Sequence, residues 1–199
     1  VYPIANFSWT SGSAAGTQLA EIRFPDVFYG YRAILEKMSR FRYLRASFKI
    51  SIRLNGTSFH YGKLIAAWSP SPLSDTPGQL RNRTENLVSV TGFPHVIVSA
   101  GMNEVVGLEI PFVYPYNYYD LSQTSTTASP LARLFVYVLN PLRASDVVPP
   151  IDVTIFGNMY DVTLCGYTNQ IPVPILPRIR KGIVPKFSRD NFSKYFIQS

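Results

Sequence analysis

FRYLRASFKISIRLNGTSFHYGKLIAAWSP, residues 41–70, decides the fold class, because it holds two strand signatures, a corner between them and a proline stop. Phe48, Ile50, Ile52 and Leu54 alternate with Ser47, Lys49, Ser51 and Arg53, the period-two pattern of a strand with one apolar and one wet face. Asn55-Gly56 follows, a pair suited to the positive φ angles of a sharp reversal. Beyond it, residues 61–68 are apolar at nearly every position, as in a strand covered on both sides. Taken locally, the run reads as two strands joined by a two-residue hairpin.

Working outward, residues 5–10 and 19–24 read as strands, the second closed by Pro25. The one helical signal, a weak one, covers residues 27–38, where Phe28, Tyr31, Ile34, Leu35 and Met38 recur at spacings of three and four behind Asp26 as a cap. Further strands are expected over 96–99, 104–113, 131–139 and 151–164, with a turn of helix at 87–90. Residues 69–86 and 117–128 are polar excursions, long enough to serve partner contact as well as connection. Pro172, Pro174 and Pro177 then suggest an extended exit. The whole reads as all-β, with about eight strands and little helix.

With 199 residues the chain suits one sandwich domain. Hydrophobic residues make up 46% and charged ones only 16%, which favours a subunit that shares surface over a free monomer. Cys165 is the single cysteine, so no intrachain disulfide can form, and it reads as a small buried residue of the last strand. No apolar run reaches the roughly 18 residues of a membrane span. The start, Val1-Tyr-Pro-Ile, has neither an initiator Met nor a signal pattern, so release from a longer precursor is expected. Net charge is +7, concentrated in Arg178, Arg180, Lys181, Lys186, Arg189 and Lys194 against Asp190 alone. A second basic set, Arg32, Lys37, Arg40, Arg42 and Arg45, precedes the strand pair.

Catalytic equipment is scarce. His60 and His95 are the only histidines and stand far apart, so neither a zinc set nor a cupin ligand cluster is expected. His60 reads as a strand-start residue with a satisfied hydrogen bond. Neither a nucleophile elbow nor a phosphate-binding glycine loop occurs, so no catalytic residue, metal or cofactor is expected. Tyr114, Tyr116, Tyr118 and Tyr119 form the densest aromatic cluster, and no basic residue interleaves with it in sequence. Packing at a loop base or subunit seam therefore accounts for it better than base stacking. The charge leaves a sequence-tolerant nucleic-acid-binding β domain as the alternative, which would require basic residues on one strand face near exposed aromatics.

The pattern Asn55, Phe59, His60, Gly62, Leu64, Ala67 and Pro70 resembles a segment of the major capsid proteins of picornavirus-like icosahedral viruses. Ile110-Pro111-Phe112 with its tyrosines, residues 135–142 (FVYVLNPL) and a last strand over 152–165 follow in the same order. The resemblance implies an eight-stranded antiparallel jelly roll of two facing four-stranded sheets, with a short helix between the second and third strands. The corner at Asn55-Gly56 would then bridge the sheets, against the local hairpin reading. It also implies a structural, non-enzymatic subunit of a non-enveloped positive-strand RNA virus. Such a subunit is assembled in the host cytoplasm into a virion with other capsid subunits, genomic RNA being a secondary partner and the receptor unidentified. The Phe-His-x-Gly-x-Leu form is similar to the second of the three major subunits, with the third close behind, and insect- and algae-infecting relatives both fit. Residues 1–174 would be the jelly roll and 175–199 an extended carboxyl-terminal arm on the outer face. Phe187, Phe192, Tyr195 and Phe196 of that arm, with Tyr116 and Tyr118, are the candidate interface residues.

Overall fold

The computed structural model describes residues 1–70, 86–102, 104–122, 130–144 and 149–168. Nine strands occur among them: β1 (Tyr2–Trp9), β2 (Gln18–Phe24), β3 (Phe41–Leu54), β4 (His60–Pro70), β5 (His95–Ser99), β6 (Val106–Ile110), β7 (Tyr119–Asp120), β8 (Ala132–Ala144) and β9 (Ile151–Tyr167). One antiparallel sheet has the order β1-β9-β3-β6, with β7 also pairing β3, and the other β2-β8-β4-β5. Of the eight long strands only β4 and β5 are consecutive within one sheet; every other connection crosses the sandwich. This is the jelly roll, and the ninth strand is a two-residue addition that sets Tyr43 opposite Asp120 and Leu44 opposite Tyr119.

The alternation in β3 sorts as its sequence demands: Leu44, Ala46, Phe48, Ile50, Ile52 and Leu54 are buried, while Arg45, Lys49 and Arg53 are exposed. Phe48 lies at the centre, its ring 4.8 Å from Phe24 and 5.8 Å from Phe28, so the connection between β2 and β3 is pinned to the core by aromatic contact. On β4 the two-sided burial begins only at Leu64, since Tyr61 and Lys63 are exposed. Leu64, Ala66 and Trp68 enter the main core, whereas Ile65 and Ala67 face outward and are covered with Val90, Phe135 and Tyr137.

Several local expectations are corrected. β3 and β4 lie in opposite sheets, so Asn55-Gly56 is a bridge and the hairpin reading fails. Neither residue has a positive φ; among the described residues that conformation falls to Gly16, Gly62, Asp161 and Gly166. Gly56 is there for space: a Cβ on it would stand 2.5 Å from the Ala100 carbonyl oxygen. The expected single helix is two pieces, a 3-10 helix over Asp26–Gly30 and α1 over Arg32–Met38. Tyr31 is extended between them; its hydroxyl donates to the Pro3 carbonyl and its ring packs 4.6 Å from Tyr2, which ties the break to β1. Asp26 caps nothing with its side chain and instead pairs with Arg23 at 3.6 Å. The turn of helix expected near residue 87 is α2 (Leu87–Thr91).

Strand β8 also runs past its expected end, through Pro141 to Ala144. Its pairing with β2 stops at Tyr137, so around Pro141 the strand has a neighbour on one side only, where a missing N–H costs no ladder bond. Cys165 is half-buried on β9 opposite Tyr43, not enclosed as expected. Residues 175–199, including Phe187, Phe192, Tyr195 and Phe196, lie outside the described residues, as do 71–85 and 123–129 of the two excursions.

Candidate functional site

The two histidines do not meet. His60 opens β4, whereas His95 pairs with Ala67, seven residues further along the same strand, or about 23 Å at the usual strand rise. His60 is buried, and its Nδ1 accepts from the Thr57 backbone N–H at 3.1 Å, which assigns the ring proton of the neutral form to Nε2. Nε2 has no partner among the described residues, so the satisfied side chain expected for His60 is only half satisfied. His95 is exposed, with Nδ1 2.8 Å from the Phe93 carbonyl oxygen. No group of three or more potential metal ligands occurs among the described residues.

The tyrosine cluster does assemble, on residues that β3 and the segment after β6 bring together. Tyr119 is buried, with Tyr114 packed edge-on at 5.5 Å, and Tyr114 touches Tyr116 at 6.0 Å and Phe112 at 6.2 Å. Tyr118 stands 6.5 Å from Tyr43, and Phe41 meets Tyr167 edge-on at 6.3 Å. Tyr116 is 64% exposed, Tyr118 39% and Tyr167 74%, so the cluster has a rooted half and a half open to solvent. Of the six candidate interface residues, Tyr116 and Tyr118 are the two described, and both belong to the open half.

Basic residues also reach this cluster, which the sequence spacing did not disclose. The Arg45 guanidinium lies 4.9 Å above the Phe112 ring and that of Arg42 lies 5.4 Å above Tyr43. Both are contributed by β3, about seventy positions before the tyrosines, so only strand pairing could reveal them. The arrangement approaches the feature required by the nucleic-acid alternative. Arg42, however, is bound to Asp120 at 3.2 Å, and Arg45 covers a ring face that a base would need, so it gives that reading little support.

Burial alone would raise the Asp120 carboxyl, but the Ser122 hydroxyl at 2.6 Å, the Ser122 backbone N–H and Arg42 outweigh it and hold Asp120 below the usual carboxylate range. A depressed carboxylate contributes stability above its unfolded-state value and loses it as pH falls through the folded one. Ser122→Ala is therefore expected to move the Asp120 titration, followed by carboxyl NMR, up toward the ordinary value near 3.9; an unmoved titration would contradict the assignment. Asp26 is shifted the other way, raised by burial that Arg23 and Arg133 offset only in part. Burial likewise raises Tyr119 and Tyr29, so both hydroxyls stay protonated at neutral pH.

The family description for picornavirus capsid proteins, Rhv, matches residues 1–136. The genome polyprotein of Ljunganvirus 1 is 28% identical over 162 residues, covering 80% of this chain and 7% of that polyprotein. Among solved structures, Triatoma virus superposes with a TM-score of 0.78 at 27% identity, covering 86% of this chain and 68% of that one. A marine algae virus of the order Picornavirales gives a TM-score of 0.70 at 25% identity, over 86% of this chain and 73% of the other. The chain spans only 7% to 17% of the first three curated polyproteins that it matches. No helix among the described residues is long and apolar enough to cross a membrane. With its two jelly-roll sheets and a family match over most of its length, the chain belongs to the picornavirus capsid proteins, the structural components of the virion.

Proposed function

We propose that this chain is a jelly-roll subunit of the shell of a non-enveloped, icosahedral, positive-strand RNA virus. It assembles with related subunits around the genome and carries no catalytic activity of its own. The strand order β1-β9-β3-β6 over β2-β8-β4-β5, in a fold that superposes on a Triatoma virus empty-capsid chain with a TM-score of 0.77 at 27% identity, supports this reading. The chemistry on the surface agrees with it: exposed Phe59, Tyr61, Met102 and Val105 lie on or beside connections that cross the sandwich, and Tyr116, Tyr118 and Tyr167 at the aromatic cluster. Large apolar side chains left in water are what a shared interface removes.

Within this reading, residues 1–174 form the shell domain and residues 175–199 an arm that lies over a neighbouring subunit. Phe187, Phe192, Tyr195 and Phe196 anchor that arm by burial, and its six cations are paired or solvated. The test is co-expression with the rest of the structural precursor, followed by gradient fractionation and negative-stain microscopy. The chain is expected in uniform spherical particles, and a chain that stays in the soluble fractions while particles form without it would refute the role. Truncation after Pro174 is expected to lower particle yield while leaving the β-sandwich folded, as far-ultraviolet circular dichroism would show. Equal yields would remove the arm from assembly.

A further inference from the structure

The open half of the aromatic cluster lies where the described chain ends. Tyr167 is in register with Phe41, and the Thr168 backbone N–H donates to the Arg40 carbonyl at 2.8 Å. Beside that exit stand Phe41, Tyr43, Tyr118 and Tyr167, a platform of phenol and phenyl rings in which Tyr118 and Tyr167 are exposed, Phe41 and Tyr43 are half-buried, and the Arg42 guanidinium lies over one face of Tyr43. Thirty-one residues follow Thr168 in the sequence. They divide sharply by charge: residues 169–177, NQIPVPILP, carry none, whereas all six cations of the segment begin at Arg178.

We propose that residues 171–177 of this same chain dock on that tyrosine platform as a polyproline II strand and set the direction in which the arm leaves. Pro172, Pro174 and Pro177 restrict this stretch to extended conformations before binding, so little conformational entropy remains to be lost on docking. Aromatic-lined surfaces recognise such strands because tyrosine rings pack on proline rings while their hydroxyls reach carbonyls that the strand leaves unpaired. Seven residues at about 3.1 Å each span about 22 Å. That is ample to cross from Phe41 over Tyr43 to Tyr118, two positions along β3 and then 6.5 Å.

Electrostatics selects the occupant. Arg40, Arg42 and Arg45 are exposed around the platform, and Asp120 pairs with Arg42. The distal residues 178–199, six cations against one acid, would be repelled, whereas the neutral stretch meets no such penalty. Tethering two residues from the platform also gives the chain's own segment a far higher effective concentration than any second copy.

The inference rests on reading the carboxyl-terminal residues as an extended arm, but it concerns the unassembled subunit. The experiment introduces a photocross-linker as Tyr118→p-benzoylphenylalanine in the full chain, irradiates mixed heavy- and light-isotope protein, and maps adducts by mass spectrometry. Adducts within residues 171–177, linking heavy to heavy and light to light only, are expected. They should be lost in the variant P172S/P174S/P177S, with near-ultraviolet circular dichroism confirming that the sandwich is intact. Heavy-to-light adducts, adducts beyond residue 177, persistence in the triple variant, or no adduct at all would each overturn the proposal. Particle yield, measured separately, reports on the arm's role in assembly, so either idea can fail without the other.

Discussion

Phe48→Ala is expected to cost about 3–5 kcal/mol of folding stability, the range for truncating a fully buried aromatic side chain. Phe48 has no solvent exposure and holds three elements at once: its own strand β3, Phe24 at the end of β2, and Phe28 in the 3-10 helix. Removing the ring leaves Phe24 and Phe28 facing a void, and their mutual centroid distance of 6.1 Å leaves them too loosely joined to fill it. Urea unfolding of the isolated subunit is the measurement. Ile97→Ala serves as the comparison, because Ile97 is 47% exposed on the edge strand β5 and should cost far less. Similar losses at the two positions would mean that the sandwich centre is not where the burial places it.

The same residue shows why so much of the fold was legible. Inward and outward positions of β3 are fixed by alternation over neighbouring residues, information that a single strand carries without its partners. The breaks were less legible where a distant contact decided them. The helix splits at Tyr31 because that side chain is committed to β1, and no spacing within residues 27–38 records that commitment. The strand expected over 131–139 stops short of Pro141, yet β8 continues through that proline because its pairing with β2 has already ended. In both cases the local preference was read correctly and a tertiary partner outweighed it.

The candidate site divides along similar lines. Aromatic density after Pro111 drew attention to Tyr116 and Tyr118, and both are exposed in the cluster. Phe41, Tyr43, Arg42 and Arg45 were missed as parts of that cluster because the arginines read as a basic set ahead of the strand pair and the two rings fell before the alternating stretch. The pairings of β6 and β7 with β3 join the two groups, β7 through Tyr43 opposite Asp120 and Leu44 opposite Tyr119. Pairing across such a separation leaves no local signal, since two residues of strand have almost no pattern to read. The sheet assignment of β3 and β4 was equally invisible to local rules, and there the resemblance to a known family supplied what the Asn-Gly pair concealed.

Gly56 carries the second large effect. Gly56→Ala is expected to destabilise the subunit by about 1–3 kcal/mol, the usual cost of forcing extra volume into a close-packed site. The upper part of that range applies because the obstruction is backbone. The added Cβ would stand 2.5 Å from the Ala100 carbonyl oxygen and 3.3 Å from Ile151 Cδ1, so it can be accommodated only by parting two connections. Side-chain repacking cannot relieve the first contact. Because Gly56 does not use a positive φ, the penalty is steric and not conformational, which separates it from an ordinary turn glycine. Gly30→Ala provides the opposite case: its Cβ meets nothing within 4 Å and its φ is not positive, so reduced freedom of the unfolded chain should make the change neutral or stabilising. Thermal unfolding of the two variants against the parent decides the matter. If Gly56→Ala matched Gly30→Ala, the turn after β5 would not rest against the corner, and the bridge between the sheets would have to be built without that contact.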